Sequence, residues 1–162
     1  LDHNQSSRLD YEALRLTLTF DQEIYSSFEE VSGRITLENI SDKNLLVNGR
    51  LAISPVPWTS EFIECLLLIK DGNDSIIPNG KIDIALPKED LYVILPPGHS
   101  IDKKFTLHGV GFSASDFSNN EKYDAIAIYQ NSLDVSVSDG NDLIEAWKGE
   151  IKSGNATFVI IP

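Results

Sequence analysis

The chain has 162 residues, a single cysteine and a formal net charge of −12. A domain of this length buries about two-thirds of the surface that its unfolded chain exposes, so it needs neither a disulfide nor a metal to fold. An acidic chain without a basic cluster repels polyanions, which argues against binding to nucleic acid or to an anionic membrane surface. Its apolar runs have the length of strands, so no membrane insertion is predicted.

Hydrophobic alternation is the main structural signal along the chain. Residues 1–13 are predicted to be a loose N-terminal segment, and residues 14–162 a single domain. Apolar and polar residues alternate strictly in Leu14–Phe20, which predicts a strand with one buried face. The pattern returns at residues 31–37, where Gly33 is expected to form a bulge. Further strands are expected over residues 45–53, 62–69, 82–86, 91–95, 101–107, 123–129, 144–151 and 156–161.

The connections between these segments have the composition of turns. Residues 71–74 and 139–142 both contain Asp-Gly-Asn-Asp, which favours a hairpin turn, although the same oxygen-rich turns leave calcium binding open as an alternative. Residues 109–122 are expected to form the longest loop. No amphipathic helix of ten or more residues occurs to connect parallel strands, so the sequence predicts an all-β, antiparallel sandwich of about seven to nine strands.

The sequence offers no recognisable catalytic apparatus. Cys65 lies in an apolar run and is expected to be a small buried core residue. His3, His99 and His108 are expected to be surface or loop residues, since the sequence contains no serine elbow and no zinc-binding pattern. Residues 109–114 match Gly-x-Gly-x-x-Ala, but no strand–helix–strand unit surrounds them, so we expect a loop. We therefore predict no catalytic residue, no metal ligand and no cofactor.

One loop carries the best candidates for contact residues. Pro55 and Pro57 interrupt the strand ladder, and Trp58 follows them in a loop where its ring is free to meet a ligand. Trp147 falls within a predicted strand and is expected to belong to the core. We therefore predict a binding site that contains Pro55, Pro57 and Trp58.

The localisation can be predicted only indirectly. The chain begins at Leu1 and contains no methionine, so we expect a processed or excised form. Four sequons occur, at Asn4, Asn39, Asn73 and Asn155, which favours a secreted, periplasmic or cell-surface protein over a cytoplasmic one.

Several segments together resemble immunoglobulin-like accessory domains. Residues 95–100 (Leu-Pro-Pro-Gly-His-Ser) resemble the turn that precedes a strand in those domains. Residues 123–129 resemble their late tyrosine-bounded strand, and residues 146–160 resemble their closing Trp-x-Gly hairpin. The layout is similar to the β-sandwich that precedes the catalytic domain of deuterolysin-like metalloendopeptidases, and loosely to the intracellular proteinase inhibitors of bacilli. The resemblance implies an immunoglobulin-like sandwich and carries over no peptidase activity, because the zinc-binding helix is missing.

The function expected from these observations is recognition without catalysis. The leading hypothesis is a soluble, non-catalytic module that binds a protein partner, such as a protease or an attached enzyme, through loops at one end of the sandwich. A carbohydrate-binding module is the first alternative and would require an exposed aromatic face. A hydrolase whose site forms only in the folded chain is the second.

Overall fold

A computed structural model describes residues 13–55, 64–78 and 89–162, and within them the all-β fold class is confirmed. The helical elements there are one short α-helix, α1 (Leu107–Val110), and 3-10 turns at Phe28–Glu30, Glu89–Leu91 and Ala114–Asp116. None of these helices is long and apolar enough to cross a membrane. The described strands are β1 (Leu14–Phe20), β2 (Ile24–Tyr25), β3 (Ser32–Asn39), β4 (Leu45–Asn48), β5 (Ile53–Ser54), β6 (Cys65–Asp71), β7 (Asp74–Ser75), β8 (Tyr92–Leu95), β9 (Ser100–Thr106), β10 (Lys122–Asn131), β11 (Ser136–Asp139), β12 (Asp142–Glu145), β13 (Gly149–Lys152) and β14 (Ala156–Ile160).

The smaller of the two main sheets has the order β1-β3-β9 in the described part of the chain, with antiparallel pairing throughout. Alternation in β1 buries the row Leu14, Leu16, Leu18 and Phe20, while the residues between them point to solvent. The strand predicted from the pattern at residues 14–20 is therefore confirmed with the same bounds.

The larger sheet has the order β2-β14-β10-β6-β5, and β13 and β7 extend it beside β10 and β6. Strand β10 buries Tyr123, Ala125, Ala127 and Tyr129 on its inner face, as the sequence predicts. The inner faces of the two sheets share one hydrophobic core, since β1 packs against β10, β13 and β14. Burial of this apolar surface is the main force that holds the sandwich together.

A second, smaller cluster lies where the β4–β8 pair meets the β11–β12 ribbon. Leu46, Tyr92, Val135 and Ala146 are buried there. The Tyr92 hydroxyl donates to Asn131 Oδ1 at 2.6 Å, and Asn131 Nδ2 donates to the carbonyl of Trp147 at 2.9 Å. Strand β8 and the segment between β12 and β13 are therefore tied to β10 by hydrogen bonds as well as by apolar packing.

Two predicted strands are wrong because each is interrupted. Residues 45–53 divide into β4 and β5, because Asn48 Oδ1 accepts a hydrogen bond from Arg50 N at 2.8 Å and Leu51 adopts a φ of 48°. Such an Asx turn competes with the strand ladder. Residues 144–151 divide into β12 and β13, and Trp147 lies between them, half-buried against the core.

Two further expectations are wrong. The predicted bulge at Gly33 does not occur, because the pairing of β3 with β1 and with β9 runs through Gly33 without an extra residue. The predicted loop at residues 109–122 begins inside α1, whose N-cap Thr106 accepts from Gly109 N and whose C-cap Gly111 has a left-handed φ of 110°.

Some expectations fall outside the described residues. They concern residues 1–12 of the N-terminal segment, the strand at 82–86, and Pro57 and Trp58 of the predicted contact loop.

Candidate functional site

A cleft of about 640 Å³ opens on the side of the sandwich where the β9 edge of the smaller sheet faces β5 of the larger one. Its lining comes from the start of β3, residues 103–106 of β9, the second half of α1, and Ala52 and Ile53 at β5; Asp21 lies at its margin. We call this the β9 cleft. Concave sites with an apolar lining and a few charged groups are typical of binding sites.

The apolar part of the lining depends on Gly33 and Phe105. A Cβ atom at Gly33 would lie 2.6 Å from the carbonyl oxygen of Thr19 and 2.7 Å from Phe105 Cζ. The Phe105 ring therefore occupies the space that a side chain at Gly33 would take, and it meets Phe20 edge to face at 6.0 Å between ring centroids. The glycine is needed for this close approach and not for a bulge.

Two lysines supply the positive charge of the cleft. Lys103 lies on the inner row of β9 between Ile101 and Phe105 and is half-buried, whereas the neighbouring Lys104 is exposed on the outer row. Among the ion pairs formed by described residues, none involves either lysine. The two ammonium groups on and beside the cleft therefore have no carboxylate partner among the described residues, in a chain whose net charge is −12.

A buried ion pair holds the β5 wall of the cleft. The side chain of Glu64 is 3% exposed, and its carboxylate accepts hydrogen bonds from the Arg50 guanidinium. Its Oε2 atom also accepts from Ala52 N at 2.9 Å. On the neighbouring strand, Cys65 N donates to the carbonyl of Ala52 at 3.2 Å. Both the backbone N–H and the backbone C=O of Ala52 are therefore hydrogen-bonded, which positions the wall.

The titratable groups behind this wall are structural. Burial, with a smaller contribution from the Glu64 carboxylate, raises the pKa of the Cys65 thiol to about 12. Burial likewise raises the pKa of Tyr129, whose hydroxyl accepts from Asn48 N at 3.1 Å. A thiol that stays protonated is a poor nucleophile. The expectation that Cys65 is a small buried core residue is confirmed.

A second cleft, of about 610 Å³, lies on the opposite side of the sandwich. Its lining comes from Leu14–Leu16, Ile40 and residues 150–152 of β13; we call it the β1 cleft. It contains Arg15, Glu150 and Lys152, so cations and an anion alternate along it. Arg15 Nη1 already bonds Glu38 Oε1 at 3.3 Å. This cleft therefore presents a mixed charge and a partly satisfied arginine.

Of the sequence-predicted contact residues only Pro55 is described, and it lies two residues after Ile53 of the cleft lining. Pro55 follows β5 directly and is buried, so it packs against the sandwich. Lys103 and Lys104 are absent from the sequence-based site. The available signal is the imperfect alternation at residues 101–107, where a lysine takes an inner position that the pattern reserves for an apolar residue.

The described histidines lie on the surface, and the two acidic turns form hairpins. His99 and His108 are exposed, as expected. The turns at residues 71–74 and 139–142 are hairpins whose glycines, Gly72 and Gly140, have φ angles of 61° and 66°. Within residues 13–55, 64–78 and 89–162 there is no group of three or more His, Cys, Asp or Glu side chains that could hold a metal ion.

No model of a known protein family matches this sequence, and a comparison with curated proteins also gives no match.

Proposed function

We propose that the chain is a non-catalytic, immunoglobulin-like module that binds a protein partner through the β9 cleft, with Pro55, Pro57 and Trp58 among its contact residues. The observation that carries this proposal is the juxtaposition of an apolar cleft with two ammonium groups that form no ion pair with any described residue. Such a surface gains free energy by covering apolar area, and a charged rim supplies specificity.

The immunoglobulin-like assignment has one structural support beyond the sandwich itself. Tyr123, near the start of β10, accepts a hydrogen bond at its hydroxyl from Ser118 N, five residues upstream, at 2.6 Å. A tyrosine that bonds the backbone just before a late strand is the arrangement known as a tyrosine corner in immunoglobulin-like domains.

A location outside the cytoplasm remains part of the proposal. The amide of Asn39 is fully buried and hydrogen-bonded to Lys43, Ser41 and Leu95, so this sequon offers no acceptor in the folded chain. Asn73 and Asn155 are exposed in turns and remain compatible with glycosylation.

The carbohydrate-binding alternative receives no support from the described aromatic residues. Tyr25, Tyr92, Tyr123 and Tyr129 are all buried, and Trp147 is half-buried against Tyr129 at 5.7 Å between ring centroids. A sugar-stacking platform would have to be built elsewhere, with Trp58 at its centre.

The proposal is tested by selecting ligands from a displayed library of random peptides on the immobilised chain. Binding of the enriched peptides is measured in solution, and their contact surface is mapped by amide hydrogen exchange with and without peptide. We expect protection to concentrate at residues 103–110 and 52–53. Ligands that protect only the β1 cleft or the β11–β12 ribbon would contradict the proposed surface, and a selection that enriches nothing would contradict protein binding itself.

A further inference from the structure

We propose that the β9 cleft takes an extended segment of the partner that adds to the edge of β9 as a further strand and places a carboxylate against Lys103. This inference rests on the proposed function and specifies the kind of partner. It is carried by the hydrogen-bonding register of β9, by the side chains of its inner row, and by the charge around it.

One side of the β9 backbone pairs with no described strand. Leu107 N donates to the carbonyl of Val31 at 3.1 Å, and Asn39 N donates to the carbonyl of His99 at 3.0 Å. In an antiparallel ladder bonded and non-bonded pairs alternate, so the odd-numbered residues of β9 bond β3. The even-numbered residues direct their N–H and C=O groups away from β3. No described strand pairs with β9 on that side; these residues are Ser100, Asp102, Lys104 and Thr106.

The inner row beside this edge favours a segment that is apolar apart from one acid. Ile101 and Phe105 flank Lys103 on the inner face of β9, where Lys103 and Phe105 line the cleft and Ile101 packs against the core. In a strand added beside β9, every second side chain would lie on the same face as this row. Each would be a direct cross-strand neighbour of Ile101, Lys103 or Phe105. Apolar side chains suit the positions over Ile101 and Phe105, and a carboxylate suits the position over Lys103.

The neighbouring charges also favour an anion. Arg34 lies directly opposite Lys104 in the ladder between β3 and β9, and like charges in that position repel. Asp102 offsets part of this repulsion, since its carboxylate lies 4.0 Å from Arg34 and accepts from Thr36 Oγ1 at 2.7 Å. Arg34, Lys103 and Lys104 together still outnumber the nearby acids Asp102 and Asp21, so the local charge opposes the net charge of the chain.

A second copy of this chain is the less favourable occupant. Two β9 strands paired symmetrically could set Asp102 of each copy against Lys104 of the other. That same register sets the two Lys103 side chains directly opposite each other on the inner face. An inward lysine on an edge strand is a known device against such pairing. The structure therefore favours a foreign strand that brings a carboxylate.

The test uses the capped peptide Val-Thr-Val-Thr-Glu-Thr-Val-Thr-Val and two matched peptides with Gln or Lys at the centre. Affinity for the full chain is measured by fluorescence anisotropy at physiological salt. We expect the Glu peptide to bind about fivefold more tightly than the Gln peptide, and the Lys peptide to bind most weakly. Lys103→Glu should reverse the order, whereas Lys152→Glu, which places the same change in the β1 cleft, should leave it unchanged.

Strand addition has its own readout. N-methylation removes the donors of alternate residues, so methylating one edge of the peptide should abolish binding and methylating the other should not. Equal effects of the two methylations would overturn strand addition. Equal affinities for the three peptides would overturn the acidic preference. Either result would leave the proposed function intact if the library-selected ligands still map to the β9 cleft. Failure of all three peptides to bind would overturn the whole inference, whatever the library selection gives.

If Lys103 served only to prevent two copies of the chain from pairing through β9, a different result is expected. Lys103→Gln would then increase self-association in sedimentation experiments without changing the affinity for any peptide, and that result would also overturn the inference.

Discussion

The smaller sheet has two edge strands in the described part of the chain, and they differ in what their inner rows meet. Every inner residue of β1 is buried, from Leu14 at 1% exposure to Phe20 at 8%, because β1 packs against β10, β13 and β14. On β9 only Phe105 is buried, whereas Ile101 and Lys103 remain partly exposed. The inner row of β1 is therefore fully covered by core packing, although the β1 cleft borders that strand, and we call this the closed side. The inner row of β9 is only partly covered, and we call this the open side.

This difference separates stability from recognition. On the closed side the strand contributes its apolar row to the core, so its residues are fixed by packing. On the open side the inner row contributes less to the core and has room for a ligand. Mutations on the two sides should therefore differ in their effect on the free energy of unfolding, and matched pairs of variants can measure the contrast.

The largest effect is expected at the ion pair that holds the wall of the open side. Arg50→Met leaves the Glu64 carboxylate, at 3% exposure, without its guanidinium partner. Removal of one partner from such a pair costs about 3 to 4 kcal/mol of unfolding free energy. Urea denaturation measures this loss, and amide exchange at Ala52 and Ile53 should become faster.

The exposed pair on the closed side supplies the control. Arg15 and Glu38 have side chains that are 61% and 35% exposed, so Arg15→Met should cost less than about 1 kcal/mol. Equal losses in the two variants would mean that the Arg50–Glu64 pair does not position the wall in the way described.

The next effect compares the inner rows directly. Leu16→Ala on β1 removes a side chain that is 4% exposed and should cost about 3 kcal/mol, because a cavity remains in the core. Ile101→Ala on β9 removes a partly exposed side chain and should cost less than half as much. Thermal or urea unfolding of both variants measures the ratio, and a ratio near one would remove the distinction between closed and open sides.

A smaller loss is expected at the glycine that shapes the β9 cleft. Gly33→Ala introduces a Cβ atom within 2.7 Å of both the Thr19 carbonyl oxygen and the Phe105 ring. Both the Phe105 ring and the backbone of β1 at Thr19 must move, at a cost of about 2 kcal/mol. Gly154→Ala, where a Cβ would meet nothing within 4 Å, is the matched control. Unchanged stability of the Gly33 variant would show that the ring yields freely and does not define the cleft.

The sequence predicts the closed side better than the open side. Strict alternation in Leu14–Phe20 arises because one face is fully buried, so the strand and its inner row follow from the pattern alone. Strand β10 is similar, with its tyrosines and alanines on one face. A period of two is reliable wherever core packing determines each position.

The open side departs from the pattern for local reasons. The turn at Asn48 and the positive φ of Leu51 divide a segment whose apolar residues look continuous. The Arg50–Glu64 pair joins residues far apart in sequence, and alternation carries no information about such partners. Lys103 breaks the alternation of β9, and only the folded chain reveals that the break lies beside a cleft.

The smallest effect concerns the pH dependence of stability. It tests whether water is excluded from the core next to the β5 wall of the cleft. Cys65 lies beside Ala52 on the neighbouring strand of the same sheet, and burial raises the pKa of its thiol from 9.0 to about 12. Between these values the unfolded thiol loses its proton while the folded one keeps it, so stability falls as the pH rises. From pH 9 to pH 10 the loss from this thiol should be about 1 kcal/mol. Tyr92 and Tyr129, whose pKa values are also raised by burial, add a smaller loss in the same direction, and that part of the slope is common to the wild type and the variant. Cys65→Ala should remove the thiol's part of the slope in urea unfolding at the two pH values.

If instead the wild-type slope equals that of the variant, and a thiol reagent modifies the folded protein rapidly at pH 8, then water reaches Cys65 through the β5 wall. The opening at β9 would then extend into the core, and the cleft would be a mobile gap between the sheets and not a preformed site.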